Sequence, residues 1–283
     1  MTTGITSFSV ESPPGRWTFT GWKPPHLAGV VELIWHFDGT VISLRERTFP
    51  NGLLLLIVHL GGRYRVLENG RPQVCAEVCL GGLQMGPLVV ESPAERCRVM
   101  GVQLHPLGAY RLFGRPLAEL TGQSNVDLLD VTGSAANELR DRCLEAISAE
   151  EQVRRAASWI AERLARSPAP DPAIAWSAAE IRRRQGAVSI SELREATGLT
   201  KTRMAMVFRD QVGVTPKLYA RIHRFRRALE LINRGSEPLV DVALTAGYYD
   251  QPHLNAEFRE LSGLAPGEYL AARRYPNSVS MAE

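Results

Sequence analysis

Hydrophobic and polar positions change period about half-way along the chain. Up to residue 104 the apolar residues fall in short runs. Turn-forming pairs separate them: Asp38-Gly39, Asn51-Gly52, Gly61-Gly62, Asn69-Gly70 and Gly81-Gly82. This pattern predicts strands at Trp17–Trp22, Val30–Phe37, Leu53–Leu60, Tyr64–Glu68, Gln73–Leu80, Leu88–Glu91 and Val99–Leu104. Leu53–Leu60 is apolar on both faces, as a buried central strand is. Asn69-Gly70 suits the type I′ turn of a hairpin. About seven short strands in ~100 residues predict a small barrel or sandwich. The stretch from Gly101 to Gly114 reads as a last strand entering a helix, continued irregularly by Leu117–Leu129.

Beyond residue 130 the period is helical. Ala135–Ile147 and Glu151–Leu164 have helical spacing. Val153, Ala156, Ala157, Ile160 and Leu164 form one apolar stripe, with Arg154, Arg155, Glu162 and Arg163 around it. The stripe suits either packing on the chain's own strands or a homodimer contact. Ser167–Pro172 then carries three prolines in six residues, a semi-rigid linker. The expected partition is a β-rich sensor at 1–130, a helical connector at 131–166, a linker at 167–173, an all-α domain at 174–275 and a tail at 276–283.

The all-α segment contains an internal repeat. Fifty residues on, Met204, Phe208, Arg209, Gly213, Pro216 and Tyr219 return as Leu254, Phe258, Arg259, Gly263, Pro266 and Tyr269. One supersecondary unit is used twice, and it reads as a helix-turn-helix. In the first copy Ser189 and Glu192 form a capping-box pattern, Gly198 makes the turn and Thr200 caps the next helix. Lys201–Gln211 turns Met204, Val207 and Phe208 inward. The opposite face carries Thr202, Ala205, Met206 and Arg209. Thr215 and Pro216 start a long helix to about Asn233. Leu218, Ile222, Phe225, Leu229 and Ile232 form its stripe; Arg221, Arg224 and Arg227 lie off it. At 1.5 Å per residue it is a rod of about 27 Å, suited to holding two units about one DNA turn, ~34 Å, apart. In the second copy Gly247 makes the turn, and Asp250 or Gln251 caps a helix ending near Ser262. Leu254, Phe258 and Leu261 go inward. Pro252, Asn255, Ala256 and Arg259 face out, with Gln251 and His253 at the exposed N-terminal end.

Charge adds to this picture. The net charge is +3, yet residues 174–283 hold 16 Lys/Arg against 12 Asp/Glu, whereas residues 1–173 hold 17 against 18. A mildly basic half on a neutral one suits a DNA reader with a second module. No leader-like basic and apolar start is seen, and no apolar run is long enough to span a bilayer. A cytoplasmic chain with reduced Cys75, Cys79, Cys97 and Cys143 is expected, with neither cofactor nor metal, because no set of ligands has zinc-like spacing. Base contacts are expected from Thr202, Ala205, Met206, Gln251, His253, Asn255 and Ala256. Phosphate contacts are expected from Lys201, Arg203, Arg209 and Arg259. In the β-rich half, Trp22, Trp35, His36, Phe37, His59, Gln84 and Met85 are candidates to line a pocket for a small-molecule effector, although aromatics on strands are more often core.

Residues 174–275 resemble the DNA-binding domain of the AraC family of bacterial transcription regulators. Ala196, Gly198, Phe208, Gly213, Pro216, Tyr219, Arg224, Ala228, Leu229, Ala243, Gly247, Tyr248, Asp250, Phe258, Gly263, Pro266 and Tyr269 carry the resemblance. It implies seven helices in two subdomains, with recognition helices in adjacent major grooves of a double-stranded operator, and RNA polymerase as partner of an activator. Many family members place Arg or Gln where this chain has Ala205 and Met206, which offer only apolar contact. The first unit is therefore expected to read bases less than the second. Phe49-Pro-Asn-Gly52 and the segment 101–109 resemble, more weakly, the cupin-like sensor domains of such regulators. The expected fold is α+β in two domains: an all-β cupin-like barrel with a helical connector, then an all-α double helix-turn-helix domain.

Overall fold

A computed structural model describes residues 4–12, 15–41, 45–68, 70–235, 237–275 and 278–280. Ten strands come first: β1 (Thr6–Ser12), β2 (Gly15–Trp22), β3 (Val31–Val41), β4 (Arg45–Thr48), β5 (Leu54–His59), β6 (Arg65–Glu68), β7 (Arg71–Val74), β8 (Val78–Gly81), β9 (Leu88–Glu91) and β10 (Cys97–Leu104). They form two antiparallel sheets. The larger has the order β1-β2-β3-β10-β5-β8-β11, where β11 is Val126–Asp127. The smaller contains β4-β9-β6-β7, extended beyond β4 by β13 (Ser278–Ser280) and β12 (Arg273–Tyr275).

The expected barrel is not closed among the described residues. β1 and β11 stay at opposite edges of the larger sheet, while β4, β9 and β6 pair in a second sheet instead. Val66, Leu88 and Val90 of that sheet pack on Ile57 and Cys79 of the larger one. The β6–β7 hairpin is present, with Glu68 opposite Arg71 and Gly70 at φ +75°; Asn69 lies outside the described residues. The segment Gln73–Leu80 is two strands, not one. Between them Cys75 and Ala76 donate their N–H groups to Tyr64 O and Asn125 Oδ1.

The helices are α1 (Pro106–Phe113), α2 (Leu128–Thr132), α3 (Ala135–Leu144), α4 (Ala149–Leu164), α5 (Pro172–Arg183), α6 (Ile190–Thr197), α7 (Lys201–Val212), α8 (Pro216–Arg234), α9 (Leu239–Ala246), α10 (Gln251–Ser262) and α11 (Pro266–Ala272). The stripe of α4 is buried inside this chain, on the face of β2 and β3 that carries Ile34.

One apolar cluster runs from the larger sheet through α4 to Ile174, Met204, Phe208 and Tyr219, across the proline-rich segment. A second holds the later helices together, and Phe49, next to β4, is part of it. Phe49 packs edge-on against Phe225 and Tyr269, at centroid distances of 6.4 and 5.8 Å. Gly213, which ends α7 at φ +97°, sits so close to Thr121 that a Cβ there would lie 2.6 Å from its hydroxyl. That hydroxyl donates to Gly213 O at 2.8 Å. The β-rich and helical halves are thus joined by packing as well as by the chain.

Candidate nucleic-acid interface

Both copies of the repeat form a helix, a tight turn and a second helix. The first helix ends at a left-handed glycine, Gly198 or Gly247. The second is capped by a side chain that accepts a backbone N–H: Thr200 from Arg203 N at 3.2 Å, and Asp250 from His253 N at 2.8 Å. These caps satisfy N–H groups that a helix start leaves without partners. Met204, Val207 and Phe208 fix the inner face of α7; Leu254, Phe258 and Leu261 fix that of α10. The two units are connected along the chain by α8, a rod of about 28 Å at 1.5 Å per residue.

The faces left over carry the predicted contacts. On α7, Thr202, Met206 and Arg209 are exposed and Ala205 is half-buried; Met206 is 55 % exposed. On α10, His253, Ala256 and Arg259 are exposed, and Gln251 and Asn255 are half-buried. His253 is held in place. Its ring packs edge-on against Tyr248 at 5.2 Å, and its Nδ1 accepts Tyr249 N–H at 3.4 Å. In the neutral ring the proton then sits on Nε2, which points a donor outward. Asn255 Oδ1 is buried and has no hydrogen-bond partner within the chain.

Cations divide into two groups. Among the described residues Lys201, Arg203, Arg209 and Arg259 make no ion pair. Arg221 and Arg224 of α8, by contrast, converge on Glu257 of α10, which is 5 % exposed. Arg221 Nε donates at 2.8 Å; Arg224 donates from Nε at 3.2 Å and from Nη2 at 2.9 Å. The Arg224 guanidinium also lies 4.8 Å over the Tyr248 ring. Burial pushes the Glu257 carboxyl up, but hydrogen bonds from Arg224 and Arg221 outweigh it and hold it below the usual carboxylate range. This cluster sets α10 against α8, and sequence reasoning missed it. Glu257 lies 33 residues from Arg224, beyond any local pairing rule.

Residues 193–272 match a family model described as a helix-turn-helix domain. Residues 24–125 match one described as a domain of unknown function, DUF6597. An AraC-like transcription regulator of Streptomyces antibioticus is 31% identical over 106 residues, 38% of this chain and 30% of that protein. The C-terminal domain is similar to those of AraC-like regulators. The transcriptional regulator LumQ of Photobacterium leiognathi is 32% identical over 85 residues, 30% of this chain and 34% of its own length. The chain thus matches about a third of these relatives. Among solved structures, ToxT of Vibrio cholerae overlaps 89% of this chain and 98% of its own at 12% identity and a TM-score of 0.46. The AraC-like activator CuxR overlaps 86% and 91% at 17% identity and 0.31. Both overlaps are loose.

The residues proposed for an effector in the β-rich half do not converge. Trp35 and Phe37 share the inner face of the larger sheet. Trp35 stacks on Phe19 at 6.1 Å and Phe37 on Trp17 at 6.4 Å, and all four rings are half-buried. Gly101 lies opposite Trp35, and a Cβ there would meet the indole at 2.3 Å. His36, between them in sequence, points to the opposite face, as strand alternation requires. His59 is spent on backbone: Nδ1 donates to Ala76 O at 2.9 Å and Nε2 accepts Tyr64 N–H at 3.3 Å. Burial pushes its imidazole down to about 4. Gln84 and Met85 line a separate cavity of about 200 Å³ with Gly122 and Ser124. Trp22 packs against His26 and under the Arg154 guanidinium.

Proposed function

We propose that this chain is a sequence-specific DNA-binding transcription regulator. In this reading α7 and α10 enter adjacent major grooves, with α10 doing most of the polar base reading. The observation that carries it is the sorting of cations. Those on the two outer helix faces are free, while those facing inward are neutralised by Glu257. Free Lys and Arg beside exposed Thr202 and His253 and half-buried Asn255 are what phosphate positioning and base reading require. Ala205 and Met206 offer only apolar contact to thymine methyls. Selection of bound DNA from random sequence tests this. The expected result is a site with a well-specified half read by α10 and a looser half read by α7. Recovery of no preferred sequence overturns it.

An effector held by the β-rich half supports the same reading. The half-buried aromatic face of Trp17, Phe19, Trp35 and Phe37 suits an apolar ligand, and Phe49 and Thr121 would pass its effect to α8 and α7. The scatter of His36, His59, Gln84 and Met85 favours the second reading, a regulator without an effector whose β-rich half contacts protein. Calorimetric titration of the full chain with apolar metabolites, with and without Trp35→Ala, separates the two.

A further inference from the structure

On the outer face of the larger sheet His36 is 4 % exposed, and neither ring nitrogen has a partner. Its cross-strand neighbours do not supply one. Thr20, opposite on β2, shares its hydroxyl with Ser7 at 2.8 Å, and Met100, opposite on β10, is apolar. Buried polar side chains in native proteins are nearly always hydrogen-bonded, so a ring with two idle nitrogens asks for a partner from outside the chain. The ring lies at the floor of a solvent-open groove of about 280 Å³, lined by Thr18, Asp38, Arg98, Gln152 and the turn 146–149 between α3 and α4.

The other polar groups define what fits. Asp38 is already neutralised by Arg96, which donates to both its oxygens at 2.7 and 2.9 Å. Arg98 donates one Nη2 hydrogen bond to Leu60 O at 3.0 Å, which leaves most of its N–H groups unspent. Gln152 gives its Nε2 to Cys143 O at 3.0 Å and keeps its carbonyl. The sixteen-residue helix α4 begins here; Ser148 accepts Glu151 N–H and Glu151 accepts Ile147 N–H, which leaves the N–H groups of Ala149 and Glu150 at its start to favour negative charge. Glu151 on that turn is paired with Arg155 at 2.7 Å. The wall therefore offers a guanidinium, a helix start and a hydroxyl to an anion. It also offers an imidazole and an amide oxygen to a second polar group. Burial lowers the imidazole's pKa and so favours the neutral ring, which has one donor and one acceptor. Pockets for drug-sized ligands run from roughly 300 to 1,000 Å³, so the occupant is smaller than those.

We propose that this groove binds a small carboxylate bearing a hydroxyl or amino group. The carboxylate lies on Arg98 and the start of α4, and the second group lies on His36. The site is on the opposite face of the sheet from Trp35 and Phe37. An occupant braces the α3–α4 turn against β2 and β3. The consequence for DNA rests on the regulatory reading; the binding itself does not.

The test titrates the full chain calorimetrically with glycolate, L-lactate, L-serine and L-malate to millimolar concentration, and follows the His36 ring nitrogens by ¹⁵N NMR. At least one compound saturates and moves the His36 signals. His36→Phe and Arg98→Met each weaken it by about tenfold or more. No saturable binding, meaning only water occupies the groove, overturns the proposal, and so does binding that leaves the His36 signals unmoved. His36→Phe removes a polar group without partners and is expected to fold. If it does not, Arg98→Met and the ¹⁵N shift decide. DNA affinity is measured on the same samples. Saturable carboxylate binding by a chain that selects no DNA sequence overturns the regulator reading alone. Carboxylate binding that leaves DNA affinity unchanged removes the consequence for DNA.

Discussion

Replacing Glu257 by Ala leaves the Arg224 guanidinium without its carboxylate and Arg221 with Glu260 as its remaining counter-charge. Breaking a sealed ion pair by removing one partner costs about 3–5 kcal/mol. Here the two arginine side chains are 24 % and 18 % exposed and Arg221 keeps Glu260, so water and that carboxylate relieve part of the loss. About 2–3 kcal/mol is expected for Glu257→Ala by that comparison. Glu257→Gln keeps the shape and a neutral acceptor, and should cost about 1–2 kcal/mol as charge-assisted hydrogen bonds become ordinary ones. Both are read from urea midpoints at unchanged slope. The carboxyl lies below its ordinary range, so its contribution is complete above about pH 4.3 and is lost as pH falls through the lower folded value. The DNA readout is more telling than stability. The cluster ties α10 to α8, so its loss should weaken binding to a selected site and let the protein tolerate one base pair inserted between the two half-sites. Wild-type stability in Glu257→Ala, or an unchanged penalty for the insertion, would refute the argument that this carboxylate sets the angle of α10.

Asn255→Ala or Gln251→Ala should each cost about 1–3 kcal/mol on the selected site and relax base preference there; equal weakening on random DNA shows that they read no base. Arg209→Ala should weaken all DNA and lower the slope of log affinity against log salt by about one, and an unchanged slope removes its phosphate role. His223 is buried, and burial, followed by Arg226 and Arg182, pushes its imidazole down to about 3. The unfolded chain therefore takes up this proton first, near pH 6.5. Stability from this group is complete above that pH and falls by about 2 kcal/mol by pH 5. His223→Leu should flatten the urea midpoint over this window, and equal slopes in both proteins contradict the assignment.

How much of this was legible depends on the range of the interactions. The helices of the C-terminal half are set by local chemistry. Ser189, Thr200, Thr215 and Asp250 each accept the N–H expected of a cap, and periodicity alone separates Met204 and Phe208 from Thr202 and Met206. Strands were harder to read. β4 is Arg-Glu-Arg-Thr, with no apolar pattern to reveal it, and β1 has only a brief alternation of Ser7 and Ser9 with Phe8 and Val10. The effector list is split between the two faces of the sheet for a reason visible in the sequence. Trp35, His36 and Phe37 are consecutive, so a strand cannot turn all three to one side. The docking of Phe49 on Phe225 and Tyr269 could not be read, because nothing near Phe49 in sequence marks its distant partners.

That contact bears on how chains of this architecture are recombined. Joining the β-rich half of one to the helical half of another invites a cut in the proline-rich segment, where the chain looks most like a hinge. In this protein such a cut would separate Phe49 from the aromatic socket that receives it, and Thr121 from the carbonyl of Gly213. A chimera that works should carry a matched aromatic at position 49 and a matched hydroxyl at position 121. The compatible unit of exchange is then a pair of surfaces, and the junction along the chain is secondary.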